Sequence, residues 1–310
     1  MEDDESVNTI EDGLLERLQT AYEDLHISSD SIQVKDIESD YTGKYLAIVD
    51  YDGTVSIWEY MEDKWVEQTV LRYRDLKFFR QEQRLFMRCD ALVNVMRPTV
   101  IARWSHGPGR YLAVASNTAS KAHVFGEHTE PPSPSSNEVP SGWHRKHTMA
   151  SAGPITEMRF SPPHVEFTLA TATITGMVII HMLQDKNDIR SWRPIHAISV
   201  FRDQSINSLS WNRNPVHELP IIIASTDDID AEEGQQVAVF AINSASVRPE
   251  VNMCFEKTSH VSCVAFAPSS GLNDSLLAVA SGRKISLYLM NVEEFQVPDQ
   301  FSPSLTSESR

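Results

Sequence analysis

Three stretches of similar sequence decide the fold: ITEMRFSP at residues 155–162, INSLSWN at 206–212 and VSCVAFAP at 261–268. Each is a short strand-like run that contains or ends on an aromatic residue. A turn and a second run of small apolar residues follow, and then a third apolar run. Repetition of one such unit along a chain predicts a repeat architecture, in which each unit is a supersecondary element stacked on its neighbours.

The same three-run unit occurs five times. The first unit spans residues 32–60 and has Asp52-Gly53 between its second and third runs, which is a strong hairpin signal. Its third run ends in Trp58-Glu59, at the place of the Trp-Asp pair that names the WD repeat. The second and third runs of the other units are 111–116 and 122–125, 168–172 and 177–181, 220–225 and 236–240, and 275–280 and 284–288.

An aromatic residue near the end of the first run sets the register. It recurs at Trp104, Phe160, Trp211 and Phe266, at spacings of 56, 51 and 55 residues, and Ser39 holds the place in the first unit. These spacings exceed the roughly 40–45 residues of a minimal WD unit, and the excess falls in polar loops, where insertions are tolerated. A β-sandwich also has short strands and regular turns. Fivefold repetition of one pattern favours an all-β fold, a WD-repeat β-propeller of about five blades.

Composition and charge exclude several classes of protein. The chain has 310 residues and a formal net charge of −16. Such an acidic surface repels phosphate backbones, so we expect no direct nucleic-acid binding. No apolar run reaches the roughly 18 residues of a transmembrane helix, and the acidic start MEDDE is unlike a signal peptide. The three cysteines are too scattered for a disulfide framework, and we expect Cys254 and Cys263 to be reduced core residues.

The segments outside the repeat define the predicted domain boundaries. We expect an acidic leader, helical or disordered, at residues 1–27, the propeller at 28–292 and a flexible tail at 293–310. Two insertions interrupt the propeller. The first, 72–98, mixes basic with apolar residues and is either an elaborated connection between blades or a basic amphipathic helix that docks a partner. The second, 127–141, is rich in proline and serine and is predicted to be a flexible loop.

No catalytic or metal-binding motif emerges from the sequence. His144 and His147 stand three residues apart, but no cysteine or carboxylate stands at zinc-ligand spacing nearby. The acidic run 227–233 lacks the glycine and the final glutamate of a calcium-binding EF-hand loop. The chain also lacks a P-loop, a Gly-x-Ser-x-Gly turn and a glycine-rich dinucleotide turn. We therefore expect no enzymatic activity, no cofactor and no bound metal.

The third and fourth units resemble a known family. GWHR at residues 142–145, ITEMRFSPPH at 155–164 and LATA at 169–172 look like the third repeat of the Sec-thirteen/Seh-one family of WD-repeat proteins. The chain is similar to the Seh-one branch rather than the Sec-thirteen branch in four stretches: IRSW at 189–192, HAI at 196–198, INSLSWN at 206–212 and IASTDD at 223–228. The resemblance covers about residues 32–290.

The resemblance implies a nucleoporin-like open propeller without enzymatic activity. Members of the family sit in the outer-ring Y complex of the nuclear pore, and in a nutrient-signalling complex associated with the lysosome. An α-helical solenoid partner inserts its own strands as a missing blade, which satisfies the backbone groups of an unpaired sheet edge. The family has six blades of its own, whereas this chain shows five units followed by the tail.

The residues and the resemblance lead to one functional hypothesis and two alternatives. We expect a scaffold of the nuclear pore, at the nuclear envelope, with further pools in the cytoplasm and at the lysosomal membrane. It would support pore assembly, mRNA export and protein transport together with other Y-complex subunits. The alternatives are a Sec-thirteen-like vesicle-coat subunit and a peptide-reading WD adaptor. If a solenoid partner adds strands, six residues of the first and last units are either its contacts or ordinary blade core: Val34, Ile37, Leu46, Ile48, Val264 and Phe266.

Overall fold

The computed structural model describes nine segments of the chain: residues 34–72, 99–106, 110–127, 142–215, 220–227, 236–242, 247–251, 260–267 and 275–290. Every regular secondary-structure element within these segments is a β-strand, and the strands form five antiparallel sheets. In each sheet the strands are neighbours in the same order as in the chain. Each sheet is therefore one local unit of sequence.

The first two sheets have four strands each. The first contains β1 (Val34–Ser39), β2 (Tyr45–Asp50), β3 (Val55–Met61) and β4 (Lys64–Leu71). The second contains β5 (Val100–Trp104), β6 (Tyr111–Ser116), β7 (Lys121–Glu127) and β8 (Trp143–Ala150).

The remaining three sheets continue the pattern. The third contains β9 (Ile155–Phe160), β10 (Thr168–Thr173), β11 (Met177–Leu183) and β12 (Trp192–Ser199). The fourth contains β13 (Ile206–Trp211), β14 (Ile221–Thr226), β15 (Val237–Ile242) and β16 (Val247–Val251). The fifth has three described strands, β17 (Val261–Phe266), β18 (Ser275–Ser281) and β19 (Lys284–Met290).

The sheets are arranged as blades around a common centre. Their first strands contact one another in chain order, β1 with β5, β5 with β9, β9 with β13 and β13 with β17. Among the described strands no comparable contact joins the first sheet to the fifth. The described strands therefore form an open β-propeller of five blades, as the repeat and the resemblance predict.

The predicted runs correspond to the first three strands of each blade. The fourth strands, β4, β8, β12 and β16, are not predicted by that pattern. They lie at the outer edge of each sheet, and β4, β8 and β12 keep much of their length in solvent, so their sequences carry little apolar signal. In β8, WHRKHTMA, only Trp143 and Met149 are buried.

Apolar cores fill the spaces between adjacent sheets. Four clusters of buried side chains lie between the first and second, second and third, third and fourth, and fourth and fifth sheets. The second strands of the first four blades are buried on both faces, and β10, TLATAT, is buried along its whole length. Small and branched side chains suit this position because sheets stacked on both sides leave little room between them.

The repeated aromatic residue lies in the core between adjacent blades, and at two of its four positions it also bonds the first strand of the preceding blade. Trp104, Phe160, Trp211 and Phe266 are all buried. The indole Nε1 of Trp104 donates a hydrogen bond of 2.9 Å to the carbonyl oxygen of Glu38. The indole Nε1 of Trp211 makes the same bond, 3.0 Å long, to the carbonyl oxygen of Arg159. The aromatic position that recurs in the sequence is therefore a contact position between adjacent blades.

Replacing Trp211 with phenylalanine should lower the free energy of unfolding by about 1–3 kcal/mol, because it leaves the partly buried carbonyl of Arg159 without its donor. Denaturant unfolding measures this loss. Trp58→Phe is the matched control, since its indole bonds only Ser56 of its own strand and its loss should be smaller. Equal losses in the two variants would contradict the inter-blade role.

Tight turns join the second and third strands at the predicted position. Gly53, in the predicted Asp-Gly hairpin, has φ of 85°, and Asp50 Oδ1 accepts a 2.9 Å bond from the Thr54 amide. Gly176 holds the same place in the third blade, with φ of 78°. A Cβ at Gly176 would lie 1.6 Å from the carbonyl oxygen of Phe201, so only glycine allows this close approach.

Several sequence predictions fall outside the described residues. The leader at 1–27 and the tail at 293–310 lie there entirely, and the insertions at 72–98 and 127–141 lie there except for their first residues, Arg72 and Glu127. Cys254 also lies outside, whereas Cys263 on β17 is exposed. The expectation that Cys263 is a core residue is therefore wrong. Side chains alternate along a strand, and it is Val264 that faces the fourth blade.

Candidate partner-binding face

The third strand of each blade turns alternate residues toward the next blade. In the first four blades these residues are 0–3 % exposed: Val55, Ile57, Ala122, Val124, Val178, Ile180, Val237, Val239 and Ala241. In β19 the residues at the same repeat positions are 70 % exposed at Ile285, 64 % at Leu287 and 68 % at Leu289. This face of the fifth blade thus has the apolar composition of a covered face, but no described blade packs against it.

The exposed surface continues across the other two strands of the fifth sheet. Leu289 stands opposite Leu276, Leu287 opposite Ala278, and Ile285 opposite Ala280. On β17 two exposed residues complete the face, Cys263 opposite Ala280 and Ala265 opposite Ala278. We name this surface the open face; it comprises Cys263, Ala265, Leu276, Ala278, Ala280, Ile285, Leu287 and Leu289. It carries no charged residue, and contiguous exposed apolar patches of this kind mark interaction sites.

The first blade also has an apolar face turned away from the second blade. Leu46, Ile48 and Trp65 are buried there, with four partly buried side chains against them: Val34, Ile37, Trp58 and Tyr60. The rings of Tyr60 and Trp65 lie 5.2 Å apart. This first-blade cluster is separate from the core between the first and second blades.

The six predicted partner contacts divide between two environments. Val34, Ile37, Leu46 and Ile48 all belong to the first-blade cluster. Val264 and Phe266 lie in the core between the fourth and fifth blades, on the opposite side of the sheet from the open face. Partner binding by these six residues stays a prediction.

The sequence reasoning did not single out Ile285, Leu287 and Leu289. Their signal is present in the alternation of β19, KISLYLM, which repeats that of β11 and β15. Alternation identifies residues that share a face, but not whether a neighbour covers it.

A buried ionic hub joins the first three blades near the centre of the ring. Arg103 on β5 bonds both carboxylate oxygens of Glu157 on β9, each at 2.9 Å. Its Nη1 also lies 2.7 Å from Asp36 Oδ2 and 3.2 Å from Glu38 Oε2, both on β1. Burial alone would lower the pKa of Arg103, but Glu157, Glu38 and Asp36 raise it above its ordinary value. Burial raises the pKa of Glu38, while Arg103 opposes that shift.

A buried histidine replaces an aromatic residue in the third blade. His181 on β11 stands where the other third strands carry Trp58, Phe125, Phe240 and Tyr288. Its Nε2 lies 3.5 Å from Thr171 Oγ1. Burial, helped by the nearby His147, lowers the pKa of His181 from 6.5 to about 4.

Acid should destabilise the fold through His181. The unfolded chain binds a proton at this residue near pH 6.5, whereas the folded chain does so only near pH 4. Stability is therefore present above about pH 6.5 and is lost as the pH falls toward 4. Between pH 7 and pH 4.5 the parent chain should lose about 2–3 kcal/mol of its free energy of unfolding through His181, and His181→Phe should not show this part of the loss.

Urea unfolding at those two pH values checks this prediction. His144→Gln, at an exposed position on β8, is the control and should lose as much stability as the parent chain. If His181→Phe also lost as much as the parent chain, His181 would not be the acid-sensitive group.

The described residues hold neither a metal-binding group nor a membrane-spanning helix. In those segments no group of three or more histidine, cysteine or acidic side chains is placed to hold a metal ion. The same part of the chain contains no helix long and apolar enough to cross a membrane.

Curated proteins similar to this chain are nucleoporins. Nucleoporin seh1 of Drosophila melanogaster is 25 % identical over 266 residues, which cover 84 % of this chain and 66 % of that protein. The chain resembles nucleoporin Seh1. Nucleoporin SEH1 of Bos taurus and of Homo sapiens are each 24 % identical over 260 residues, 80 % of this chain and 63 % of theirs. No protein-family model matches the chain.

These comparisons confirm the Seh-one-like resemblance that the third and fourth units carry. The chain spans 63–66 % of the length of these three SEH1 relatives.

Proposed function

We propose that this chain is a scaffold subunit of the outer-ring Y complex of the nuclear pore, without enzymatic activity. The observation that carries the proposal is the open face, where positions that four blades bury are 64–70 % exposed in the fifth. The similarity to nucleoporins named SEH1 supports the nuclear-pore part of the proposal. In this role the chain supports pore assembly, and through it mRNA export and protein transport.

The proposed partner is an α-solenoid nucleoporin that donates strands as a further blade. A donated blade would cover Ile285, Leu287 and Leu289 as the fifth blade covers Val239. Burying each such side chain contributes about 1.5–3 kcal/mol. The described structure pairs β19 with β18 alone, and an unpaired strand edge offers backbone N–H and C=O groups to an added strand.

The location of the chain in cells tests this proposal. A fluorescently tagged chain should label the nuclear rim, and its purification should recover Y-complex subunits that include a solenoid nucleoporin. A smaller lysosomal and cytoplasmic pool would fit a second role in a nutrient-signalling complex. Labelling of endoplasmic-reticulum exit sites instead of the rim would favour the vesicle-coat alternative. Recovery of no solenoid nucleoporin would overturn the proposal.

A further inference from the structure

Two arginines and a histidine converge where the central strands of the second, third and fourth blades end. Arg159 lies on β9, Arg213 follows β13 by two residues, and His106 follows β5 by two residues. We name them the cationic cluster, after the two arginines. They stand out because the chain as a whole carries 43 acidic and 27 basic residues.

The strand contacts hold these residues at one level of the ring. β9 packs against both β5 and β13, and the Trp211 indole bonds the carbonyl oxygen of Arg159 at 3.0 Å. Burial lowers the pKa of His106, and the positive charges of Arg213 and Arg159 lower it further. A lowered pKa favours the neutral imidazole, which offers one ring N–H as a hydrogen-bond donor.

The cluster has more donors than the described residues use. Arg159 Nε is buried and has no hydrogen-bond partner. Arg159 Nη2 lies 3.6 Å from Glu157 Oε2, but Arg103 already bonds both oxygens of that carboxylate. Arg213 is exposed, and no described carboxylate forms an ion pair with it. A buried donor left unpaired is costly, so this arrangement indicates a missing acceptor.

We propose that the cationic cluster binds a single anionic oxygen group, a phosphate or a carboxylate, on a peptide. An arginine presents Nε–H and Nη–H as a fork that matches the oxygens of either group. A second arginine and a neutral imidazole can complete the set of donors. The net charge of −16 repels a polyanion such as nucleic acid, which favours one charged group on an otherwise neutral ligand. This site is distinct from the open face and does not depend on the nuclear-pore proposal.

The test uses the full chain and three short peptides: acetyl-Gly-phosphoserine-Gly-amide and its glutamate and unphosphorylated serine counterparts. The arginine Nε–Hε signals in nitrogen-15 NMR spectra report binding at Arg159 and Arg213 directly. We expect the phosphoserine peptide, and more weakly the glutamate peptide, to shift these two signals. The serine peptide should shift neither.

Arg213→Gln is the test variant, because this exposed side chain holds no described part of the fold. It should weaken binding of the phosphoserine peptide about tenfold, the effect of losing one charge-assisted hydrogen bond. The control is Arg283→Gln, in the exposed turn between β18 and β19, which should bind within about twofold of the parent. Three results would overturn the proposal: no shift with phosphoserine, an equal shift with serine, or Arg213→Gln binding as the parent does.

Discussion

Replacing Arg103 with methionine is expected to lower the free energy of unfolding by about 3–5 kcal/mol, since removal of one partner from a buried ion pair leaves the other charges uncompensated. Methionine keeps much of the volume of the side chain but none of its charge. Glu157, Glu38 and Asp36 would then face one another across the first three blades. Chemical denaturation at pH 7 measures the change.

The matched control is Arg145→Met, on the exposed part of β8 in the same blade. It should change stability by no more than about 0.5 kcal/mol, as is usual for surface positions. A loss below about 1 kcal/mol in Arg103→Met would mean that the hub contributes little to holding the blades together.

The double substitution Leu287→Asp with Leu289→Asp should weaken binding of the solenoid partner about a thousandfold or more, while the free chain stays folded. Two unpaired carboxylates would have to leave water inside an apolar interface, and a thousandfold loss corresponds to about 4 kcal/mol. Because both residues are about two-thirds exposed in the free chain, the same charges cost little there. Titration of the purified partner against parent and variant chains measures the loss, and thermal unfolding checks the fold.

Val239→Asp is the control for this prediction, because Val239 holds the position of Leu287 in the fourth blade and is 2 % exposed. A carboxylate there should unfold the chain even without a partner. If the double variant still bound the partner at parental affinity, the open face would not be the docking site. If it unfolded like Val239→Asp, the open face would be covered within the free chain.

The repeat made the core of the fold predictable. Trp104, Phe160, Trp211 and Phe266 share a position in the sequence and are all buried near the centre of the ring. The fourth strands were not predictable in the same way. At the outer edge their exposed residues, such as His144 and Arg145, need not be apolar.

The ionic hub also lay beyond sequence reasoning. Arg103 stands 67 residues from Asp36 and 54 from Glu157 in the chain. Nothing local pairs these charges, and each one alone reads as an ordinary surface residue. Only the stacking of three blades brings them together in a buried setting, where their attraction is strong.

The sequence by itself determined the number of repeated units, the first three strands of each unit and the residues that share a face in each of those strands, because these depend on local alternation of side chains. The tertiary structure alone decided which faces are covered. Ile180, Val239 and Leu287 occupy one repeat position and carry similar side chains, yet the first two are buried and the third is exposed. Such a face is buried only where a neighbouring blade packs against it, and no described blade packs against this face of the fifth blade.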